Sequence, residues 1–361
     1  MDITSSDCVA NTSLQELSFL WLEITSKCNL ECIHCYADSS PKQDLFNQMG
    51  TEDWLEVLFQ AAEVGCKQVQ FIGGEPTLHP DLCRMISFAS AQGYSFIEVF
   101  TNATIPNENL LKTFVEHNVH IAISFYSDNP QTHDSITKHK GSFDRTVDGI
   151  KRFISAGLNI RAGIIEMPRG AEEAFQAKQF LEHLGISDIR IDHQRGIGRG
   201  AQKIHSLEPM SELCGECWKG KLCVTSTGKA YPCVFSRFAD LGTAKKGIYN
   251  ILKANDLLKF RARLKDYQNR KVKPDNLYAE ILKDSTREII MCTPLKCEPT
   301  CAPPTFCSPK SDVNRCLPTS TECAPAYSCD PNCNPGRTPC SPDQICNPDI
   351  QRCNPHHSLT I

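Results

Sequence analysis

Apolar positions along this chain follow two alternating rhythms. The runs Phe19–Ile24, Gln68–Ile72, Ser95–Phe100, His120–Phe125, Asn159–Ile165 and Asp188–Asp192 are short and mostly rich in β-branched and aromatic residues. They read as strands. Between them, in Thr51–Val64, Leu78–Gln92, Asn107–His117, Ser142–Ser155 and Ala171–Leu184, apolar residues return every three or four positions, the period of a helix with one buried face. Gly65, Gly93, Gly157 and Gly185 stand where those helices must stop. Six strands alternating with helices across residues 18–200 specify an α/β fold with a parallel sheet. The expectation is a partial (β/α)6 barrel of the TIM type, with its chemistry at the carboxyl ends of the strands.

Composition narrows the setting. At 361 residues the chain can bury a sizeable core and still carry small appended domains. Its net charge of −4 gives no overall field that would recruit nucleic acid. No basic residue precedes Lys27 and no apolar run approaches a membrane span, so neither a secretory signal nor a membrane helix is expected. The expected location is the cytoplasm, where the 21 cysteines read first as metal ligands or redox groups.

Two motifs fall at expected strand ends. Cys28, Cys32 and Cys35, in Cys-x3-Cys-x2-Cys spacing, follow the first strand, and Gly73-Gly74-Glu75-Pro76 follows the second. Three thiolates on one short stretch can converge on a single metal centre, and zinc shares such spacings. A 4Fe-4S cluster with three protein thiolates leaves one iron open to a substrate or cofactor. Together these residues resemble the radical S-adenosylmethionine (radical SAM) enzymes. That resemblance implies a 4Fe-4S cluster on Cys28, Cys32 and Cys35, with S-adenosylmethionine chelated at the open iron. Reductive cleavage would then yield a 5′-deoxyadenosyl radical that abstracts hydrogen from a substrate. It also implies that Gly73, Gly74, Glu75 and Pro76 hold the methionine end of the cofactor, and that Asn102 and Ser124, at the ends of the third and fourth strands, contact it. Polar residues at strand ends can equally be turns or caps. The other groups at these ends are Thr101, Tyr126, Asp128, Glu166, Asp192, His193 and Arg195. Arg195-Gly-Ile-Gly-Arg199-Gly follows a strand but opens no helix, so a dinucleotide loop is not expected there.

A second cysteine set, Cys214, Cys217, Cys223 and Cys233, surrounds a Ser-Thr-Gly-Lys turn at Gly228. A hairpin there should bring Cys223 and Cys233 face to face, and a helical segment, Ile248–Leu264, follows. Cys217, Gly228 and Cys233 resemble the SPASM/Twitch extension of radical SAM enzymes, which carries an auxiliary 4Fe-4S cluster; a zinc ribbon is the alternative. From Cys292 onward, 11 cysteines are each followed two residues later by proline. This repeat has too little apolar surface to fold alone, so metal, disulfides or docking must order it, or it stays disordered. Cys292, Cys297 and Cys301 are candidates to complete or add an auxiliary cluster, one or two being expected in all.

The expected division is an arm at 1–17, the barrel at 18–200, an auxiliary-cluster domain at 201–290 and the repeat tail at 291–361. The resemblance implies an enzyme that modifies a ribosomally synthesised peptide, fed electrons by a low-potential donor such as flavodoxin or ferredoxin. The alternatives are oxidation, epimerisation or decarboxylation of a small sugar or nucleoside, and, outside catalysis, a cysteine-rich metal-binding scaffold. Neither nucleic acid nor membrane is an expected partner.

Overall fold

The computed structural model describes residues 14–46, 48–104, 106–167, 171–202 and 209–271, and the strand segments 308–310, 315–317, 344–347 and 352–355. Residues 1–269 make one compact unit and 270–361 a second.

In the first unit, β1 (Phe19–Thr25), β2 (Gln68–Gly73), β3 (Phe96–Thr101), β4 (His120–Phe125), β5 (Ile160–Glu166) and β6 (Asp188–His193) lie side by side in chain order, all parallel. The α/β barrel class expected from the sequence is the one observed, and each strand starts and stops within a residue of its predicted limits. The helices α1 (Thr51–Glu63), α2 (Leu82–Ala91), α3 (Glu108–Glu116), α4 (Pro130–Thr137), α5 (Ser142–Ser155) and α6 (Ala171–His183) connect them. One side of the sheet carries Leu20, Leu22, Val69, Phe71, Ile97, Val99, Ile121, Ile123, Ala162 and Ile164, all buried in a core shared with the helices. Alternate positions carry a different set. Trp21, Gln70, Glu98 and His120 are linked strand to strand by register. Arg161 closes on Glu98 through two hydrogen bonds of 2.6 and 2.7 Å, and Gln70 donates to the same carboxylate. Alternation along a strand therefore separates an apolar face from a polar and aromatic one.

Three expectations are corrected. The helix expected over Leu78–Gln92 is split: Pro76–Leu78 is a single 3-10 turn, and α2 begins only at Leu82. Pro80 is the reason, since it disfavours helical backbone at the residue before it. The helix expected over Ile248–Leu264 is two helices, α7 (Ile248–Lys253) and α8 (Asn255–Lys271), parted at Ala254, whose backbone is extended. The hairpin of β7 (Lys221–Val224) and β8 (Ala230–Tyr231) pairs Cys223 with Tyr231, not with Cys233. Turn length fixes that register, because Val224 faces Ala230 and each step outward on one strand is matched on the other. β7 also lies parallel to β1, so the parallel sheet runs on through this hairpin. In the second unit, β9 (Ser308–Lys310) pairs antiparallel with β10 (Arg315–Leu317), and β11 (Gln344–Asn347) with β12 (Arg352–Pro355).

Candidate active site

The cysteine loop leaves the carboxyl end of β1 and is fixed from several sides. The N–H of Cys28 donates to Ser40 O at 3.1 Å. The N–H groups of Glu31 and Ile33 donate to Thr137 O and Ile136 O at 3.0 and 2.9 Å. These acceptors are the last carbonyls of α4, groups a helix leaves unpaired at its end. Arg199 clamps the other side. Its Nε donates to Cys32 O at 2.8 Å, one terminal nitrogen to Ser39 O at 2.7 Å, and the other pairs with Asp38 at 2.8 Å, while its backbone N–H reaches Cys35 O at 3.0 Å. Gly198, at φ +58°, permits this approach, since a Cβ there would stand 2.4 Å from Cys35 O. The glycine-rich Arg195–Gly200 segment is thus a brace for the cysteine loop.

The cysteine sulfurs sit among donors. Cys28 Sγ accepts from Leu30 N–H at 3.4 Å and from Asn102 Nδ2 at 3.9 Å, and Cys32 Sγ lies 3.8 Å from the Tyr126 hydroxyl. Burial holds the Cys28 thiol above its ordinary range and pushes Cys32 up to about 12; for Cys32 the neighbouring Cys35 adds to this. Both are therefore neutral thiols unless a metal supplies the compensating charge. Burial likewise keeps Tyr126 protonated, well above the ordinary tyrosine range.

Gly73 and Gly74 bring backbone against backbone. A Cβ on Gly73, at φ +139°, would meet Thr25 O at 2.4 Å, and one on Gly74 would meet Lys27 O at 2.1 Å. Glu75 is turned away from the open space. It is 0% exposed; one oxygen accepts from Thr77 N–H at 3.0 Å, Thr77 Oγ1 at 2.5 Å and Thr101 Oγ1 at 2.7 Å, and the other from Asn102 N–H at 2.8 Å. Burial raises its pKa against the pull of those donors. Its carboxyl ties the turn after β2 to the end of β3. Asn102 is tied similarly: its side chain donates to Asn29 Oδ1 at 2.8 Å and accepts from the Thr104 backbone and hydroxyl.

A cavity of about 170 Å³ opens at this end of the sheet. Cys28, Cys32 and Cys35, Gly73 and Gly74, Thr101 and Asn102, and Ser124 and Tyr126 all line it. Glu75 and Pro76 are not among its lining residues. Its far wall is Asp192, His193, Arg195 and Phe235, where Arg195 grips Asp192 through 2.7 and 2.6 Å bonds and lies over the Phe235 ring. Among the described residues, no three histidine, cysteine or carboxylate side chains are grouped to hold a single metal ion. A cluster that takes one thiolate per iron asks instead for thiols spread around a space, with N–H and O–H donors aimed at sulfur. The loop has both.

Of the second cysteine set, three come together. Cys214 Sγ lies 4.0 Å from Cys217 Sγ, and Cys217 and Cys233 share one buried cluster with Leu213, Phe260 and Leu264. Cys223 packs with Tyr231 and Val234, beside the ion pair of the buried Glu23 with the partly exposed Arg237. No sequence signal singled out Glu23 or Arg237, and Arg199 was marked only as part of a glycine-rich segment; the role of each depends on which residues the fold brings opposite it. Cys292, Cys297 and Cys301 lie outside the described residues. No described helix is long and apolar enough to cross a membrane.

Comparison with known proteins places this geometry. The sequence profile of the Radical SAM superfamily matches residues 22–176. "Probable GTP 3',8-cyclase" of Saccharolobus solfataricus is 30% identical over 192 residues, which is 52% of this chain and 61% of that protein. "Antilisterial bacteriocin subtilosin biosynthesis protein AlbA" of Bacillus subtilis is 27% identical over 186 residues, 51% of this chain and 41% of that protein. The chain thus spans less than two thirds of the length of either relative. Streptococcus suis SuiB, in a structure bound to precursor peptide SuiA, superposes with a TM-score of 0.57 at 14% identity over 68% of this chain and 66% of that one, a likeness of fold.

Proposed function

Because residues 22–176 carry a Radical SAM superfamily domain, we propose that this chain acts as a radical SAM enzyme and modifies a ribosomally synthesised peptide by hydrogen abstraction. One observation carries the reading: the three thiols of the cysteine loop, the Gly73-Gly74 backbone and Ser124 line a single cavity at the carboxyl ends of the parallel strands. When bound, the family's 4Fe-4S cluster and S-adenosylmethionine supply a 5′-deoxyadenosyl radical there. Cys28, Cys32 and Cys35 would hold the cluster. Gly73 and Gly74 leave room for the methionine end, with Glu75 and Pro76 shaping that turn from behind and Asn102 and Ser124 flanking it. Asp192, His193 and Arg195 face the substrate side. Cys214, Cys217 and Cys233 are the ligands we assign to an auxiliary cluster, with Cys292, Cys297 and Cys301 as candidates for further positions. A flavodoxin or ferredoxin would deliver the electron. Similarity to AlbA supports a peptide substrate.

The 30% identity to a GTP 3′,8-cyclase supports a second reading, a nucleotide or nucleoside substrate held against Arg195. One experiment addresses both. Anaerobically reconstituted protein, reduced with dithionite, should convert S-adenosylmethionine to 5′-deoxyadenosine and methionine, and Cys32→Ala should abolish this, because two thiolates cannot hold the site-differentiated cluster. Retained cleavage in that variant would sink the assignment. A mass change in a peptide encoded next to this gene supports the first reading; consumption of GTP with no change in any peptide supports the second.

A further inference from the structure

Tyr126 sets a buried hydroxyl, on a residue 8% exposed, against the cysteine loop at 3.8 Å from Cys32 Sγ. It stands two residues after Ser124, so the two side chains leave the end of β4 toward the same cavity. The ring cannot turn freely. His34 meets it edge-on with ring centres 4.9 Å apart, and His133 packs at 5.3 Å, itself tied to the Ser142 hydroxyl at 3.2 Å. The loop sulfurs are served differently: Cys28 receives N–H donors from Leu30 and Asn102, whereas Cys32 faces a phenol. A metal-bound thiolate carries no proton, so in that state only the phenol can donate.

We propose that Tyr126 is a positioning residue that tunes the cluster held at Cys32: its hydroxyl donates to the thiolate and makes the cluster easier to reduce. This rests on the reading of Cys28, Cys32 and Cys35 as cluster ligands. The added electron increases negative charge on the coordinating sulfur, so a fixed O–H dipole stabilises the reduced form more than the oxidised one. Burial strengthens the effect, because a hydrogen bond is electrostatically stronger at low local dielectric than in water.

The test compares wild type, Tyr126→Phe and a protein with 3-fluorotyrosine at position 126, all anaerobically reconstituted, by redox titration followed by electron paramagnetic resonance. The cysteine-loop signal is identified as the one that changes on adding S-adenosylmethionine. In Tyr126→Phe, iron and sulfide per chain should match wild type, while the reduced-to-oxidised ratio at fixed potential falls about tenfold, or 59 mV for one electron. The fluorinated phenol, a stronger donor, should shift the ratio the other way. Equal potentials across the three proteins at equal iron content overturn the proposal. A wild type that binds zinc, or shows no signal responsive to S-adenosylmethionine, overturns the cluster reading itself and the proposal with it.

Discussion

His133 lies 1% exposed among Phe125, Tyr126 and Phe143, with Nδ1 on the Ser142 hydroxyl. Burial holds its pKa down at about 4, against an ordinary value of 6.5, although Asp134 pulls the other way. The unfolded chain therefore takes up a proton near pH 6.5 that the folded chain refuses until about pH 4. Stability from this residue is complete above pH 6.5 and drains away as pH falls toward 4, by about 3 kcal/mol over the whole window. His133→Gln should lower stability at pH 7.5 yet flatten its decline between pH 7 and 5, seen as urea midpoints that converge with wild type on acidification. A midpoint difference independent of pH would show that His133 contributes packing alone. Its link to function is spatial, because its ring backs the Tyr126 ring. Such residues are hard to find from sequence: a histidine in a polar stretch carries no mark of burial, whereas the cysteine spacing and Gly73-Gly74 are local signals of chemistry.

α4 shows the same contrast at the level of elements. The six parallel strands were legible because their outward residues, such as Leu20, Phe71, Val99 and Ile123, form an unbroken apolar core. α4 was missed because only His133, Ile136 and Thr137 are buried on a helix made mostly of polar residues. Its start was nonetheless written locally: Asn129 caps it by accepting from Thr132 N–H at 3.0 Å, and Pro130 follows at the first helical position. The far end of α4 accepts from Glu31 and Ile33 in the cysteine loop, so weakening the start should reach the site. Asn129→Ala should cost about 1 kcal/mol of helix stability. The amides of Glu31 and Ile33 should then exchange with solvent about fivefold faster, while amides of β3 stay unchanged. Unchanged exchange at both loop amides would mean that α4 does not hold the loop. The hairpin register was illegible for a different reason: pairing depends on how many residues the turn uses, and composition around Gly228 does not fix that number.

Within the first unit, one sheet joins the barrel to the hairpin of the second cysteine set, since β7 pairs along the edge of β1 opposite β2. The Glu23–Arg237 pair sits at this junction, one partner on β1 and the other just beyond Cys233. The main core runs from Leu17 to Leu257, and the unit that contains it closes at Asn269. Among the described residues, the side chains of that core all come from 17–257, and the described strands of the cysteine–proline repeat form two two-stranded pairs. Removing residues 310–361 should therefore leave S-adenosylmethionine cleavage within about twofold of wild type, with iron per chain unchanged, because the core-forming side chains and the cysteine loop all remain. Truncation before Cys292 should instead lower iron content if Cys292, Cys297 and Cys301 supply auxiliary ligands, while cleavage persists at the cysteine loop. Iron and sulfide analysis of the two truncations separates the cases. Loss of four irons on removing 310–361 alone would make the distal cysteines ligands, and would place part of the metal chemistry in the repeat.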